Sequence, residues 1–286
     1  MIRLREFFWV LNAIILFTLI TWAFNLDLLI SQFFFLPLAK MNGSSESWLG
    51  LRMPPMHLLY HTAKIPALVL ACISLAVLIG SRWQPQWCIW RRQAVFVLLM
   101  LLLGPWLLVN VVLKDGIGKP SPSELIQFGG TYAYAQFWEE GTGKHNGAFP
   151  SGHAAVAFSL MLPYFFLRQQ QPHASKCFLI LGLSWGLLVG VMRVTQGGHF
   201  FSDVIWSGAI IYLLGVSLAA LFRFDQSPTC STMLVSLKPP PIPHLGQCAI
   251  TASLVKPGGG VATAQNSYLV SDQQTLGHVN PFSDQG

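Results

Sequence analysis

Charge is what this chain has least of. Asp, Glu, Lys and Arg make up only 10% of its 286 residues, while 53% are hydrophobic and the mean hydropathy is +0.52. Soluble domains average about 25% charged residues, so the composition excludes an ordinary soluble domain and points to a bilayer as solvent. Acidic residues are the scarcer sign, 11 against 17 Lys and Arg, for a net charge of +6. No basic run of the kind that binds nucleic acid accompanies that excess, and in a membrane protein such residues gather in cytoplasmic loops. Cysteine is also sparse. The five, Cys72, Cys88, Cys177, Cys230 and Cys248, are odd in number and form no CxxC pair, which argues against a disulfide framework or a zinc site. HExxH is absent, and a zinc protease of that pattern with it. GLSWG at 182–186 fits a Gly-x-Ser-x-Gly elbow, but it lies inside an apolar run and lacks the strand–turn–helix setting that the elbow requires. A small-residue helix contact suits it better.

What is present is long apolar sequence. Six segments, at about 7–25, 58–80, 94–113, 153–168, 177–196 and 200–222, are long enough to span a bilayer or nearly so. Backbone in lipid must satisfy its own hydrogen bonds, so all six are predicted as helices. Arg3 and Arg5 precede the first, as in a signal peptide, but no small-x-small cleavage site follows, so it reads as an uncleaved span. Arg3 and Arg5, then Arg82, Arg91 and Arg92, then Arg168 and Lys176, then Arg223 fall on alternate flanks, which places them and both termini in the cytoplasm. The predicted fold is all-α, a polytopic bundle of six transmembrane helices. The opposite side receives 26–57, 114–152 and a short turn near 197–199. Segment 26–57 is rich in Phe and Leu and suits either an amphipathic stretch on the membrane surface or a packed cap over the bundle. The predicted organisation is a first span with its outer segment over 1–54, a core of five spans over 55–225, and a Pro-, Gly- and Ser-rich disordered cytoplasmic tail over 226–286.

Three polar groups share the outer helix ends: Lys114 with Lys119 in KDGIGKPSP, FPSGHAAVAF at 149–158, and RVTQGGHFFSDV at 193–204. His199 and Asp203 are four residues apart on one helical face, and a carboxylate beside an imidazole fixes its tautomer. Arg193 offers a planar fork that matches phosphate oxygens. An interfacial Arg that snorkels beside a self-satisfied His–Asp pair explains the third group equally well. In the second group Ser151 suits a helix N-cap, Gly152 allows close backbone approach and His153 falls in the first turn; alone it reads as a plain cap. Together the three supply cations, a hydroxyl and backbone N–H groups for a phosphate, with one His as candidate nucleophile and another as proton donor.

That set resembles the type 2 phosphatidic acid phosphatase superfamily, whose motifs are a Lys separated by six residues from Arg-Pro, then Pro-Ser-Gly-His, then Ser-Arg with His and Asp following. Lys114 fits the first motif, Pro150–His153 the second, and Arg193, His199 and Asp203 the third. The resemblance covers about 55–222 and looks most like the branch of bacterial envelope lipid phosphatases that includes those for lipid A. It implies a multi-pass protein of the bacterial inner membrane with a periplasmic active site, no cofactor and no metal. The implied partners are a phosphorylated lipid substrate and the bilayer, with no nucleic acid. By the same resemblance His199 is the nucleophile, His153 the general acid and base, and Asp203 the residue that orients His199. Lys114, Ser151, Gly152 and Arg193 bind phosphate. Two positions depart from the pattern: Met192 replaces the usual Ser, and Ser121 replaces the arginine of Arg-Pro, with Pro122 kept. Lys119 or Lys144 is a candidate for the missing charge. The expected activity is hydrolysis of a phosphomonoester or diphosphate on lipid A, undecaprenyl diphosphate or phosphatidylglycerophosphate through a phosphohistidine. Transfer to a lipid acceptor, or binding without catalysis, are the alternatives.

Overall fold

A computed structural model describes residues 2–44, 46–139 and 147–224. The expected tail at 226–286 and Lys144 lie outside them. Among the described residues the chain is helical, with two isolated β-bridges, Phe35–Trp48 and Leu125–Tyr132. Helix α1 (Ile2–Ala23) ends where Asn25 turns left-handed at φ 48°. Two short helices follow, α2 (Leu26–Phe34) and α3 (Pro37–Met41).

The predicted segment 58–80 is two helices, α4 (Pro54–Thr62) and α5 (Ile65–Gly80), with Pro66 opening the second. Its ring has no N–H to continue the first helix. The predicted 94–113 begins as α6 (Arg91–Leu101) and widens into a π-helical stretch, Leu102–Leu113, that contains Pro105. There the Asn110 side-chain amide donates to the Pro105 carbonyl at 2.5 Å. Such widened turns recur at functional sites, and α7 (Lys114–Ile117) follows at once, closed by Gly118 at φ 62°. The predicted 153–168 forms α8 (Gly152–Phe158) and α9 (Leu162–Leu167), joined through a 3₁₀ turn. Last come α10 (Pro172–Thr195) and α11 (Phe201–Leu221).

Among the described residues five runs, Leu4–Ala23, Pro54–Gly80, Pro85–Glu124, Pro172–Thr195 and Phe201–Leu221, are long and apolar enough to cross a membrane, and Gly152–Leu167 is a shorter apolar run. The core lies between α6, α8, α9 and α11, around Phe96, Met100, Phe158, Met161, Phe165 and Ile211. Helix α10 packs against it through Gly182, Gly186 and Gly190. A Cβ at Gly186 would enter the Phe158 ring and one at Gly182 the Met161 backbone. The GLSWG segment is thus a close helix contact, of the kind that substitutes for hydrophobic driving force in lipid. Ile180, Leu181 and Leu188 on α10 and Leu68 and Ile73 on α5 face outward, as lipid-facing residues do.

The two ends of the bundle differ. At one, Arg168 grips Glu6 through its two terminal guanidinium nitrogens at 2.9 and 2.6 Å, and Arg92 stacks over Phe224 at 5.0 Å. At the other, Trp48 is buried with Leu125, Phe128 and Phe200, whereas Phe33, Leu38 and Met41 are 81%, 75% and 82% exposed. Segment 26–57 therefore packs a cap around Trp48 and leaves apolar side chains exposed on its outer side.

Candidate active site

The turn between α10 and α11 is built on Gly197, whose φ of 68° few other residues adopt and whose α-carbon lies against the Trp48 indole. Arg193, on the last turn of α10, and His199, just before α11, are brought together by this turn. The loop 121–124 fastens to it, with the Ser123 N–H donating to the Gly197 carbonyl at 3.0 Å. Ser121, at the position of the family arginine, is engaged with Glu124. Its backbone N–H and hydroxyl both donate to Glu124 Oε2, at 2.9 and 2.7 Å.

Ser151 is fully buried and caps α8 by accepting from the Ala154 N–H at 3.5 Å, which leaves its hydroxyl proton to donate elsewhere. The Ser151 N–H donates to the Asp203 carbonyl at 3.3 Å, and Ser207 Oγ bridges both segments, its one hydroxyl proton shared between the Asp203 carbonyl at 2.7 Å and the Ser151 carbonyl at 3.0 Å. Gly152 lies so close to the Asn110 carboxamide that a Cβ would collide with it. Its close approach is to the π-helical stretch that leads directly into Lys114. The three polar groups of the sequence are thus brought to one place, where Lys114, Arg193 and His153 all act electrostatically on His199.

His199 is 3% exposed, and its Nδ1–H donates to the Ala148 carbonyl at 2.6 Å. A carbonyl can only accept, so Nδ1 carries the proton and Nε2 keeps its lone pair. Burial, chiefly, and the Arg193 and Lys114 cations hold its pKa well below the ordinary 6.5, so the ring is neutral at pH 7 and available as a nucleophile.

Two expected contacts are different. Asp203 does not grip His199 directly. Its carboxylate accepts from Lys119 Nζ on Oδ1 and from the Phe200 N–H on Oδ2, both at 2.8 Å. The Ala148 carbonyl fixes the tautomer in its place, because the first turn of α11 aims Asp203 at its own helix start. Lys119, expected as a further phosphate ligand, is 1% exposed, with its ammonium 3.6 Å from Asp27 Oδ2 as well as bonded to Asp203 and 4.3 Å from the Phe200 ring centre. Its charge is spent inside the protein.

The Arg193 Nη1 donates to Gln196 Oε1 at 2.8 Å, but its Nε is buried and has no hydrogen-bond partner among the described residues. A buried guanidinium N–H left unmatched is costly, and an anion is the group that suits it. Sequence reasoning missed Tyr60, on α4. Its ring lies 4.6 Å from that of His153 at 32° and 5.2 Å from the Arg193 guanidinium. Nothing in the local sequence marks that tyrosine. A group of two cations, a hydroxyl, a neutral imidazole with a fixed tautomer and a second imidazole can hold a tetrahedral anion and pass a phosphoryl group.

A family model described as the PAP2 superfamily matches residues 93–226. The lipid A 4'-phosphatase of Francisella tularensis subsp. novicida (strain U112) is 30% identical over 193 residues, covering 66% of this chain and 82% of that protein. The lipid A 4'-phosphatase of Rhizobium leguminosarum is 35% identical over 138 residues, 48% of this chain and 58% of that one. The crystal structure of the first transmembrane PAP2 type phosphatidylglycerolphosphate phosphatase from Bacillus subtilis is similar at a TM-score of 0.46 and 22% identity, over 76% of this chain and 98% of that chain. The family model spans Lys114, His153, Arg193 and His199 alike, and the first relative matches over most of its length. The chain therefore belongs to the PAP2 superfamily and is a phosphatase.

Proposed function

We propose that this chain is an integral membrane phosphatase that removes a phosphomonoester from a lipid A-type headgroup through a phosphohistidine at His199. The carrying observation is the buried, unmatched Nε of Arg193 in a site that also gathers Lys114, His153 and a neutral His199. Lys114, Arg193, the Ser151 hydroxyl and the Gly152 N–H hold the phosphate oxygens. His199 Nε2 attacks phosphorus, forming the N–P bond as the bond to the lipid oxygen breaks. His153 protonates that oxygen as it leaves, then takes a proton from the water that cleaves the N–P bond and releases inorganic phosphate. Asp203 acts on His199 through the Phe200 N–H and Lys119.

The lipid A class is supported by the names of two relatives. In this reading the protein has six spans, with Gly152–Leu167 as the shortest. The site faces the periplasm, and both termini are cytoplasmic. Support comes from Arg92 and Arg168, which gather at the end of the bundle opposite Arg193 and His199. The exposed Phe33, Leu38 and Met41 suit the lipid surface beside the substrate's entry. The test is phosphate release by purified protein in detergent from lipid A, an isoprenoid diphosphate and phosphatidylglycerophosphate. The expected kcat/KM for lipid A exceeds the others by about tenfold or more. Faster turnover of another lipid would replace lipid A in this reading, and label that moves to a lipid acceptor instead of water would make the protein a phosphotransferase.

A further inference from the structure

Lys119 is held between two carboxylates, and the second belongs to the N-terminal segment. Asp27 lies in the first turn of α2 and is 2% exposed. Its Oδ1 accepts the Ser202 N–H at 2.9 Å, its Oδ2 accepts the Ser202 hydroxyl, and the Lys119 ammonium is 3.6 Å from Oδ2. The family match begins at residue 93, so Asp27 falls outside it.

These bonds complete a closed circuit around His199. The His199 ring donates to the Ala148 carbonyl at 2.6 Å, and the Ala148 N–H donates to the Lys119 carbonyl at 2.7 Å. The Lys119 side chain returns to Asp203, whose carboxylate also accepts the N–H of Phe200, the residue after His199. Lys119 thus supports the imidazole from two sides, through its backbone and through its ammonium. Asp27 clamps that ammonium and the first turn of α11 together, since Ser202 lies on the same turn as Asp203.

We propose that Asp27 is a positioning residue for phosphoryl transfer, one that fixes Lys119 and the start of α11 so that His199 Nε2 stays in line with phosphorus. The inference rests on the phosphohistidine reading above. In-line transfer is sensitive to displacement of about 1 Å, worth about 10²-fold in rate, and supporting groups of this kind set that precision. Asp27 bonds to Ser202 and lies beside the Lys119 ammonium, neither of which is placed on the phosphate, so its effect is expected on kcat more than on substrate affinity.

Two variants of the full chain test this, with whichever lipid of the panel the wild type turns over fastest. Asp27→Asn removes the charge and keeps one acceptor for Ser202, while Ser202→Ala keeps every charge and removes one donor. Asp27→Asn is expected to lower kcat by about 30-fold and to leave KM and competitive inhibition by inorganic phosphate within about twofold. Ser202→Ala should show the same split at smaller size. Unchanged kcat in both, or a raised KM with kcat kept, overturns the inference while the phosphatase reading stands. If Asp27→Asn does not fold, the split in Ser202→Ala decides alone. A wild-type chain that releases phosphate from no lipid overturns the parent reading, and this inference with it.

Discussion

His199→Ala is expected to lower kcat for phosphate release by at least about 10⁴-fold, the scale on which removal of a nucleophile acts. The expectation follows from the state of the ring. Its Nδ1 proton is committed to the Ala148 carbonyl, and burial with two nearby cations keeps it neutral. The Nε2 lone pair is therefore ready without prior deprotonation. The variant leaves the Ala148 acceptor unmatched, at a cost of about 1–3 kcal/mol. A thermal unfolding curve in detergent separates that loss of stability from the loss of chemistry. Residual kcat within about tenfold of wild type in a folded variant would remove His199 from the nucleophile's place.

Arg193 should follow. Among the described residues its guanidinium donates to Gln196, lies over Tyr60 and keeps a buried Nε unmatched. Bound phosphate would take two or more charge-assisted bonds from that fork, each worth about 1.5–3 kcal/mol. Arg193→Ala should therefore cost about 10²–10³-fold in kcat/KM, and Arg193→Lys much of the same, because an ammonium keeps the charge but not the fork. Both values come from initial rates on the best lipid substrate. A loss under about threefold in Arg193→Ala would mean that phosphate does not use this arginine.

The sequence made some of this legible and hid the rest for definable reasons. The six apolar segments fall on helices, and His153, Arg193 and His199 fall at neighbouring helix ends, because hydropathy and spacing are local signals. Breaks inside the segments were less visible. The division of 58–80 near Pro66 and of 153–168 around a 3₁₀ turn, and the π-helical stretch after Leu101, depend on how prolines and tertiary contacts share out backbone bonds. The partner of His199 is a backbone carbonyl, which carries no side-chain signature. Lys119 pairs with Asp203 across 84 positions, and Asp27 with Ser202 across 175. No periodicity links residues so distant. The lysine that looked like a replacement for the arginine missing at Ser121 is therefore one half of a buried ion pair.

The central claim is a covalent bond from phosphorus to His199. Purified protein mixed with lipid A labelled in its phosphomonoester, and quenched within one turnover in alkaline denaturant, tests it directly. The account predicts label on the polypeptide that is stable in base and lost in mild acid, as an N–P bond requires, and that is absent from His199→Ala. Phosphate released at the full rate with no label on the chain at any time, or label retained in His199→Ala, would contradict it.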